Sequence, residues 1–200
     1  MVDFIYLASQ SPRRQQLLEQ LGVRYELLVA DSGEDAEALE VALENEAPFK
    51  YVQRVTALKL DAALARLIER DLPPAPILCA DTTVALGQTI FGKPNDAVHA
   101  ELMLSALAGR FHQVLTAVAV QDGLQRFKAV SRSRVRFEAM TASQINAYAL
   151  SGEPMGKAGS YAIQGKVAMH ITRIEGSYSG IMGLPLRETA LLLQAAGLKI

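Results

Sequence analysis

Hydrophobic and polar positions along the chain fall into short blocks that predict alternating strands and helices. The apolar run from Phe4 to Ala8 is typical of a short buried strand. Ser11 suits a helix N-cap and Pro12 the first helical position, and the apolar stripe that follows ends before Gly22. The chain is therefore predicted to open with a strand, a tight turn and a helix.

The middle of the chain is predicted to hold one long helix and several strands. A segment rich in Ala and Leu from Pro48 to about Arg70 favours a helix, and the Pro-Pro-Ala-Pro run at 73–76 ends it. The other predicted elements are a strand at 77–81, a hairpin at 83–91, a helix capped by Asn95 and ending near Gly109, and strands at 114–120 and 125–137 joined at Asp122-Gly123.

The C-terminal third continues this mixture. Thr141 and Gln144 have the spacing of a capping box, which predicts a helix that stops at Gly152. A glycine-rich stretch at 156–165 leads into an apolar segment at 167–174, and a last helix is predicted at 185–196. Helices combined with hairpins predict an α/β fold, with a mixed twisted sheet and flanking helices, in one domain spanning 1–200.

Composition narrows the classes of function. Half of the 200 residues are hydrophobic and a fifth are charged, as in ordinary globular proteins. With 20 basic and 21 acidic residues the formal net charge is −1, so we expect neither a nucleic-acid nor a membrane partner. The N-terminus lacks the pattern of a signal peptide, and no apolar run has the length of a membrane span. We therefore expect a cytoplasmic location, which the lone cysteine, Cys79, also fits; we interpret it as a buried thiol.

An acidic segment interrupts the pattern between residues 31 and 46. It holds seven carboxylates and no basic residue, and we interpret it as a mobile loop or a solvated helical surface.

Three residues conflict with local rules. Arg13 and Arg14 occupy a first helical turn, where the helix dipole favours anions, so a bound anion would resolve the conflict; two solvated arginines are the alternative. Asp81 closes a short apolar strand, which predicts a neighbouring metal, cation or solvent; a turn residue bonded to nearby backbone is the alternative.

Three lysines and the glycine-rich stretch are weaker candidates. Lys59 falls near the inner stripe of its helix, while Lys93 and Lys157 lie beside glycines; each also fits a surface lysine. The stretch at 156–165 permits close approach to a ligand or forms an ordinary loop. Motifs of the form GxxxxGK[ST], GxGxxG after a strand, and GxSxG are absent, which disfavours kinase, dinucleotide-binding and α/β-hydrolase functions.

Several segments, in one order, carry a more specific signal. They are LASQSPRR at 7–14, ADT at 80–82, GKP at 92–94, HQVLTAV at 112–118, KAGSY at 157–161 with QG at 164–165, and GLPL at 183–186. Together they resemble the Maf family of nucleoside triphosphate pyrophosphatases, also called septum formation inhibitor proteins, over almost the whole chain.

The resemblance implies a fold with two lobes around a deep cleft, similar to inosine triphosphate pyrophosphatases. It implies cleavage of a nucleoside triphosphate to the monophosphate and pyrophosphate with a divalent cation, Mg²⁺ or Mn²⁺, and a homodimer. Asp81 would be the proton acceptor and a metal ligand, with Glu34 or a neighbouring acid as its metal partner. The implied phosphate-binding residues are Ser9, Arg13, Arg14, Lys59, Lys93 and Lys157.

The same resemblance implies a substrate. The branch of the family that prefers dTTP and UTP carries arginine, threonine and glutamine at three positions that are Arg13, Thr82 and Gln164 here. The Gln164 amide can complement the O4 and N3–H edge of uracil or thymine, and we expect Arg13 and Thr82 to add donors. Two alternatives are a pyrophosphatase of broad substrate range and a non-catalytic, nucleotide-binding regulator of septum formation.

Overall fold

One mixed sheet forms the centre of the molecule. The computed structural model describes residues 4–31, 34 and 38–200. In that part of the chain the strands are β1 (Ile5–Leu7), β2 (Tyr25–Leu27), β3 (Ile77–Leu86), β4 (Thr89–Phe91), β5 (Phe111–Asp122), β6 (Gln125–Phe137) and β7 (Ile171–Glu175). Their order is β2-β1-β3-β5-β6-β7, with β4 paired to β3. β1 runs parallel to β2 and β3, and the other pairs are antiparallel. The predicted α/β fold with a mixed sheet is confirmed.

Helices cover both faces of this sheet. The α-helices in the described residues are α1 (Pro12–Gln20), α2 (Pro48–Glu69), α3 (Ala97–Leu107), α4 (Ala142–Ala149), α5 (Tyr178–Met182) and α6 (Leu186–Ala195). Short 3₁₀ turns lie at Ala38–Glu40, Ala158–Ser160 and Lys166–His170. Among the helices described, none combines the length and apolar character needed to cross a bilayer.

Buried hydrophobic side chains gather in two regions along β3, and a smaller cluster joins α2 to β5. The first surrounds β1 and the beginning of β3, where α1 and α6 pack on one face and α2 on the other. The second lies beyond the middle of β3, where α3, α4 and the glycine-rich stretch pack together. β3 is buried on both faces along most of its length, and its residues are apolar except for the triplet 81–83. The Cys79 thiol lies fully buried in the first of these regions, as predicted, and burial raises its pKa to about 11.

Local capping signals are mostly confirmed. The Thr141 side chain accepts from the Gln144 amide, and the Gln144 side chain accepts from the Thr141 amide, which completes the predicted capping box. The prediction that Asn95 caps α3 is wrong by one residue. The Asp96 carboxylate accepts from the His99 amide at 2.7 Å and is the N-cap.

Some predicted boundaries were also wrong. β3 continues to Leu86, five residues past its expected end at Asp81, because the polar triplet 81–83 remains paired to β5. The apolar segment at 167–174 contains most of the 3₁₀ turn at Lys166–His170 and the first residues of β7. β2 and α5 were not predicted. In the acidic segment, residues 32, 33 and 35–37 lie outside the described residues, and the described remainder includes the 3₁₀ turn at Ala38–Glu40.

Candidate active site

A gap in the sheet opens onto a large cleft. On one side of β3, β1 pairs only as far as Leu78 and β4 begins only at Val84, while β5 fills the opposite side throughout. The edge of β3 between these two pairings is open, and the cleft that reaches it has a volume of about 1120 Å³. Every site residue named from the sequence lines this cleft: Ser9, Arg13, Arg14, Glu34, Lys59, Asp81, Thr82, Lys93, Lys157 and Gln164.

Asp81 lies at the open edge of β3. It is the fifth residue of a ten-residue strand and pairs with Ala117 of β5, so the expectation of a strand-terminal position is wrong. The carboxylate is buried, and its Oδ1 accepts from Lys59 Nζ at 2.6 Å. The strand fixes the backbone of Asp81, and the side chain lines the wall of the cleft.

Lys59 joins Asp81 to a second carboxylate. Its Nζ also donates to Glu40 Oε1 at 2.6 Å, and Lys93 Nζ lies 3.1 Å from Glu40 Oε2. Burial alone would lower the pKa of Lys59, but Asp81 and Glu40 outweigh it, and the pKa is raised. Burial would raise the pKa of Glu40, but Lys59 and Lys93 outweigh it, and that pKa is lowered. Lys59 and Glu40 are therefore both charged at neutral pH.

Tyr51 holds Glu40 in place. Its hydroxyl donates to the backbone carbonyl of Glu40 at 2.7 Å. Burial raises the pKa of Tyr51 to about 12, with Asp81 and Glu40 adding to the effect, so the phenol stays protonated. Sequence reasoning did not single out Glu40, because it was one of seven acids in a segment without periodicity.

Arg13 and Arg14 face the cleft from the first turn of α1. Two successive carbonyls hold them: Arg13 Nε donates to Met182 O at 3.2 Å, and Arg14 Nε to Gly183 O at 2.9 Å. Arg14 Nη1 also donates to Ser9 Oγ at 3.0 Å. Burial, and then Arg14, lowers the pKa of Arg13. Within the described ranges no carboxylate pairs with either guanidinium group, an arrangement that favours an anionic ligand.

The glycine-rich stretch brings Lys157 to the same side. Lys157 Nζ donates to the Glu153 carbonyl, and burial, followed by the charge of Arg13, lowers the pKa of this lysine. Gly159 has φ +67°, and a Cβ there would lie within 2.7 Å of the Val84 side chain. Only glycine therefore lets this loop approach β3 so closely.

A hydrogen bond between two uncharged side chains, His112 and Tyr161, joins this loop to β5. His112 Nε2 lies 2.8 Å from the Tyr161 hydroxyl, and both side chains are buried. Burial lowers the pKa of His112 to about 4, so the ring is neutral near pH 7. His112 is the second residue of β5, so the hydrogen bond joins the start of that strand to the glycine-rich stretch.

Thr82 lies on the opposite face of β3 from Asp81. Its Oγ1 is 3.0 Å from Thr116 Oγ1, and Thr116 Oγ1 donates to the Gly180 carbonyl at 2.7 Å. Because Thr116 has one hydroxyl hydrogen and a carbonyl only accepts, Thr82 must donate to Thr116. In this arrangement Thr82 presents lone pairs to the cleft, whereas the resemblance led us to expect a donor.

Gln164 and Glu34 complete the set of site residues named from the sequence. Gln164 is exposed at the cleft, and its amide makes no hydrogen bond with the described part of the chain. Glu34 accepts from Arg66 at 2.9 and 2.6 Å, and this contact lowers its pKa to about 2. The acid that shares a lysine with Asp81 is thus Glu40 rather than Glu34.

The carboxylates of the cleft suit a metal ion that binds together with phosphate. Residues 4–31, 34 and 38–200 contain no cluster of three or more His, Cys, Asp or Glu side chains arranged to hold an ion. Mg²⁺ needs no such cage, because it commonly takes one or two carboxylates and completes its shell with water and phosphate oxygens. Asp81 and Glu40, both within reach of Lys59 Nζ, fit this mode.

Comparison with known proteins gives a consistent result. The model of the family described as "Maf-like protein" matches residues 4–196. A dTTP/UTP pyrophosphatase of Polaromonas sp. (strain JS666) is 66% identical over 99% of this chain and 98% of its own length. Proteins of the same name from Albidiferax ferrireducens and Cupriavidus pinatubonensis are each 62% identical over 100% of both chains. With its cleft, its Ser-Pro-Arg-Arg turn and these relatives, the chain belongs to the Maf-like protein family.

Proposed function

We propose that the protein is a nucleoside triphosphate pyrophosphatase that hydrolyses dTTP and UTP to the nucleoside monophosphate and pyrophosphate. The observation that carries the proposal is the presence, in one cleft, of the Asp81 carboxylate and of two arginines without an acidic partner among the described residues. The names and the high identity of the relatives support the same substrates.

The positive groups are suited to bind the triphosphate. Arg13 and Arg14 present guanidinium groups whose direction is fixed by backbone carbonyls, and planar guanidinium groups match phosphate oxygens. Lys157 adds a third cation on the same side. These groups stabilise negative charge that develops on the departing pyrophosphate, and the barrier falls mainly through positioning and electrostatics.

Asp81 is placed to act on water. Its carboxylate accepts a proton from, or orients, the water that attacks the α-phosphorus, and Lys59 holds the carboxylate in position. Asp81 and Glu40 would hold Mg²⁺ or Mn²⁺ together with phosphate oxygens. When bound, the ion supplies charge neutralisation and a more acidic water.

The test is pyrophosphate release from dTTP, UTP, CTP and 7-methyl-GTP, with and without Mg²⁺ or Mn²⁺. We expect metal-dependent release that is fastest with dTTP and UTP. Asp81→Asn should lower kcat by about 10²–10⁴-fold, the usual contribution of a general base. Because the change also removes an ion-pair partner of Lys59, thermal unfolding establishes that the variant is folded at the assay temperature. Asp61→Asn is the matched control, because Asp61 is exposed and pairs with Arg126 outside the cleft. Near wild-type turnover of Asp81→Asn would contradict the proposal.

Two further expectations belong to this proposal. Free nucleoside triphosphates are cytoplasmic metabolites, which supports a cytoplasmic site of action. The homodimer implied by the family resemblance is tested by sedimentation equilibrium of the full chain, where a monomer at micromolar concentration would contradict it.

A further inference from the structure

Thr116 is a buried residue that the chemistry described so far does not use. It lies on β5 directly opposite Thr82 in the register of β3 and β5, and it is 1% exposed. Its hydroxyl connects two other groups, since it receives the hydrogen of Thr82 and gives its own to the Gly180 carbonyl. The direction of both hydrogen bonds follows from the carbonyl, which only accepts.

This chain of hydrogen bonds fixes what Thr82 presents to the cleft. A free threonine hydroxyl rotates and acts as donor or acceptor, as its ligand requires. The hydrogen of Thr82 points to Thr116, so its oxygen presents only lone pairs to the cleft. Gly183 leaves this oxygen uncrowded, because even a Cβ at that position would lie 3.7 Å from Thr82 Oγ1.

The neighbours of Thr82 make this acceptor distinctive. Arg13 and Arg14, which lie on the same side of the cleft, have only donors to offer. A ligand that satisfies all three residues must bring acceptors for the arginines and one donor for Thr82. A nucleoside triphosphate whose base carries an N–H meets that requirement, because its phosphate oxygens accept from the arginines and its base donates to Thr82.

We propose that Thr116 is a specificity-determining positioning residue, which holds Thr82 as an obligate acceptor for the N3–H of uracil or thymine. Cytosine has a lone pair instead of an N–H at N3. Thr82 and cytosine N3 are then both acceptors, and no hydrogen bond forms between them. In a closed site a mismatch of this kind costs orders of magnitude in discrimination. The inference rests on the proposed function, because it assigns a base contact to that same cleft.

The experiment compares UTP and CTP, which share ribose and triphosphate and differ at N3 and at C4. We measure kcat/KM for both with wild type, Thr116→Val and Thr116→Ser. Thr116→Val keeps the shape but frees the Thr82 hydrogen, and we expect the UTP-to-CTP ratio of kcat/KM to fall at least tenfold. Thr116→Ser retains the hydroxyl and should keep the ratio near that of wild type. If Thr116 had a purely structural role, Thr116→Val would lower kcat/KM for UTP and CTP by the same factor and leave their ratio unchanged.

Folding and turnover are controlled separately. Circular dichroism and thermal unfolding establish whether Thr116→Val is folded; a folded variant with a ratio within twofold of wild type overturns the proposal. If that variant does not fold, Thr82→Val is measured in its place, and its UTP-to-CTP ratio of kcat/KM must fall at least tenfold. A ratio within twofold of wild type again overturns the proposal.

A parallel binding measurement separates this inference from the proposed function. Calorimetry with the α,β-methylene analogues of UTP and CTP gives the ratio of Kd values without turnover. Absence of pyrophosphate release by wild type contradicts the proposed function. The Kd ratio of wild type against Thr116→Val then still supports or overturns the role of Thr116.

Discussion

The two walls of the cleft hold their charges in opposite ways. The Asp81 wall, formed by Asp81, Lys59, Glu40 and Lys93, is a network in which each acid contacts a lysine at 2.6–3.1 Å. The arginine wall, formed by Ser9, Arg13, Arg14 and Lys157, is held by hydroxyl and backbone oxygens, with no ion pair to its cations among the described residues.

This difference separates structure from ligand binding. Charges with internal partners are satisfied before any ligand arrives, and removal of one partner mainly disturbs the protein. Cations held only by neutral oxygens keep their electrostatic attraction for an external anion. The arginine wall should therefore contribute most to triphosphate binding, and the Asp81 wall to orienting the reacting groups.

The strongest test of this comparison removes one cation of the arginine wall. Arg14→Gln should lower kcat/KM for dTTP by about 100-fold, because a charge-assisted hydrogen bond to phosphate is lost, and should lower the free energy of unfolding by only about 1 kcal/mol. Steady-state kinetics and urea unfolding measure the two effects. Arg187→Gln, at an exposed position of α6, is the matched control. Should stability fall while kcat/KM stays within threefold, the arginine wall would be structural instead.

A second test uses the hydrogen bond between His112 and Tyr161, which holds the glycine-rich stretch that carries Lys157. The pKa of His112 is lowered from 6.5 to about 4 in the folded protein, so below pH 6.5 the unfolded chain binds the extra proton. His112 therefore contributes stability that is present above pH 6.5 and lost as the pH falls towards 4. Between pH 8 and pH 5 the free energy of unfolding should drop by about 2 kcal/mol from this group.

Urea unfolding at several pH values measures this loss, and His112→Asn should remove that part of the pH dependence. The acids with lowered pKa, Glu34, Glu40 and Glu46, lose their contribution mainly at more acidic pH, so they do not obscure the window from pH 5 to 8. An identical pH profile in the variant would show that His112 is not the titrating group.

The smallest expected effect concerns the Asp81 wall. If Glu40 helps Asp81 to hold the divalent cation, Glu40→Gln should raise the Mg²⁺ concentration for half-maximal pyrophosphate release about fivefold, or about 1 kcal/mol. Glu34→Gln is the control, because Glu34 pairs with Arg66. If Glu34→Gln raises this Mg²⁺ concentration and Glu40→Gln does not, Glu34 rather than Glu40 is the metal partner of Asp81.

The sequence predicted those parts of the molecule that depend on neighbours along the chain. The Thr141–Gln144 capping box and the turn that starts at Ser11 are set within a few residues, and both lie where predicted. The position of Asp81 within β3 was missed because a polar triplet usually ends a strand, whereas here β5 pairs with all three residues.

The missed parts of the site depend on contacts distant in sequence. Thr116 meets Thr82 only through the register of two strands, and hydrogen-bond direction there depends on a carbonyl 64 residues beyond Thr116. Glu40 was one carboxylate among seven, and only Lys59 and Lys93 distinguish it. The family resemblance named residues that share the cleft, but it carried no information on which of them contact one another.

The anchors of Arg13 and Arg14 also bear on how the protein is made. Each arginine is held by a carbonyl 169 residues further along the chain. During synthesis α1 leaves the ribosome first, yet its guanidinium groups find these oxygens only when residues 182 and 183 have emerged. Nascent and C-terminally truncated chains will thus lack an organised site, and nucleotide capture is a property of the finished polypeptide.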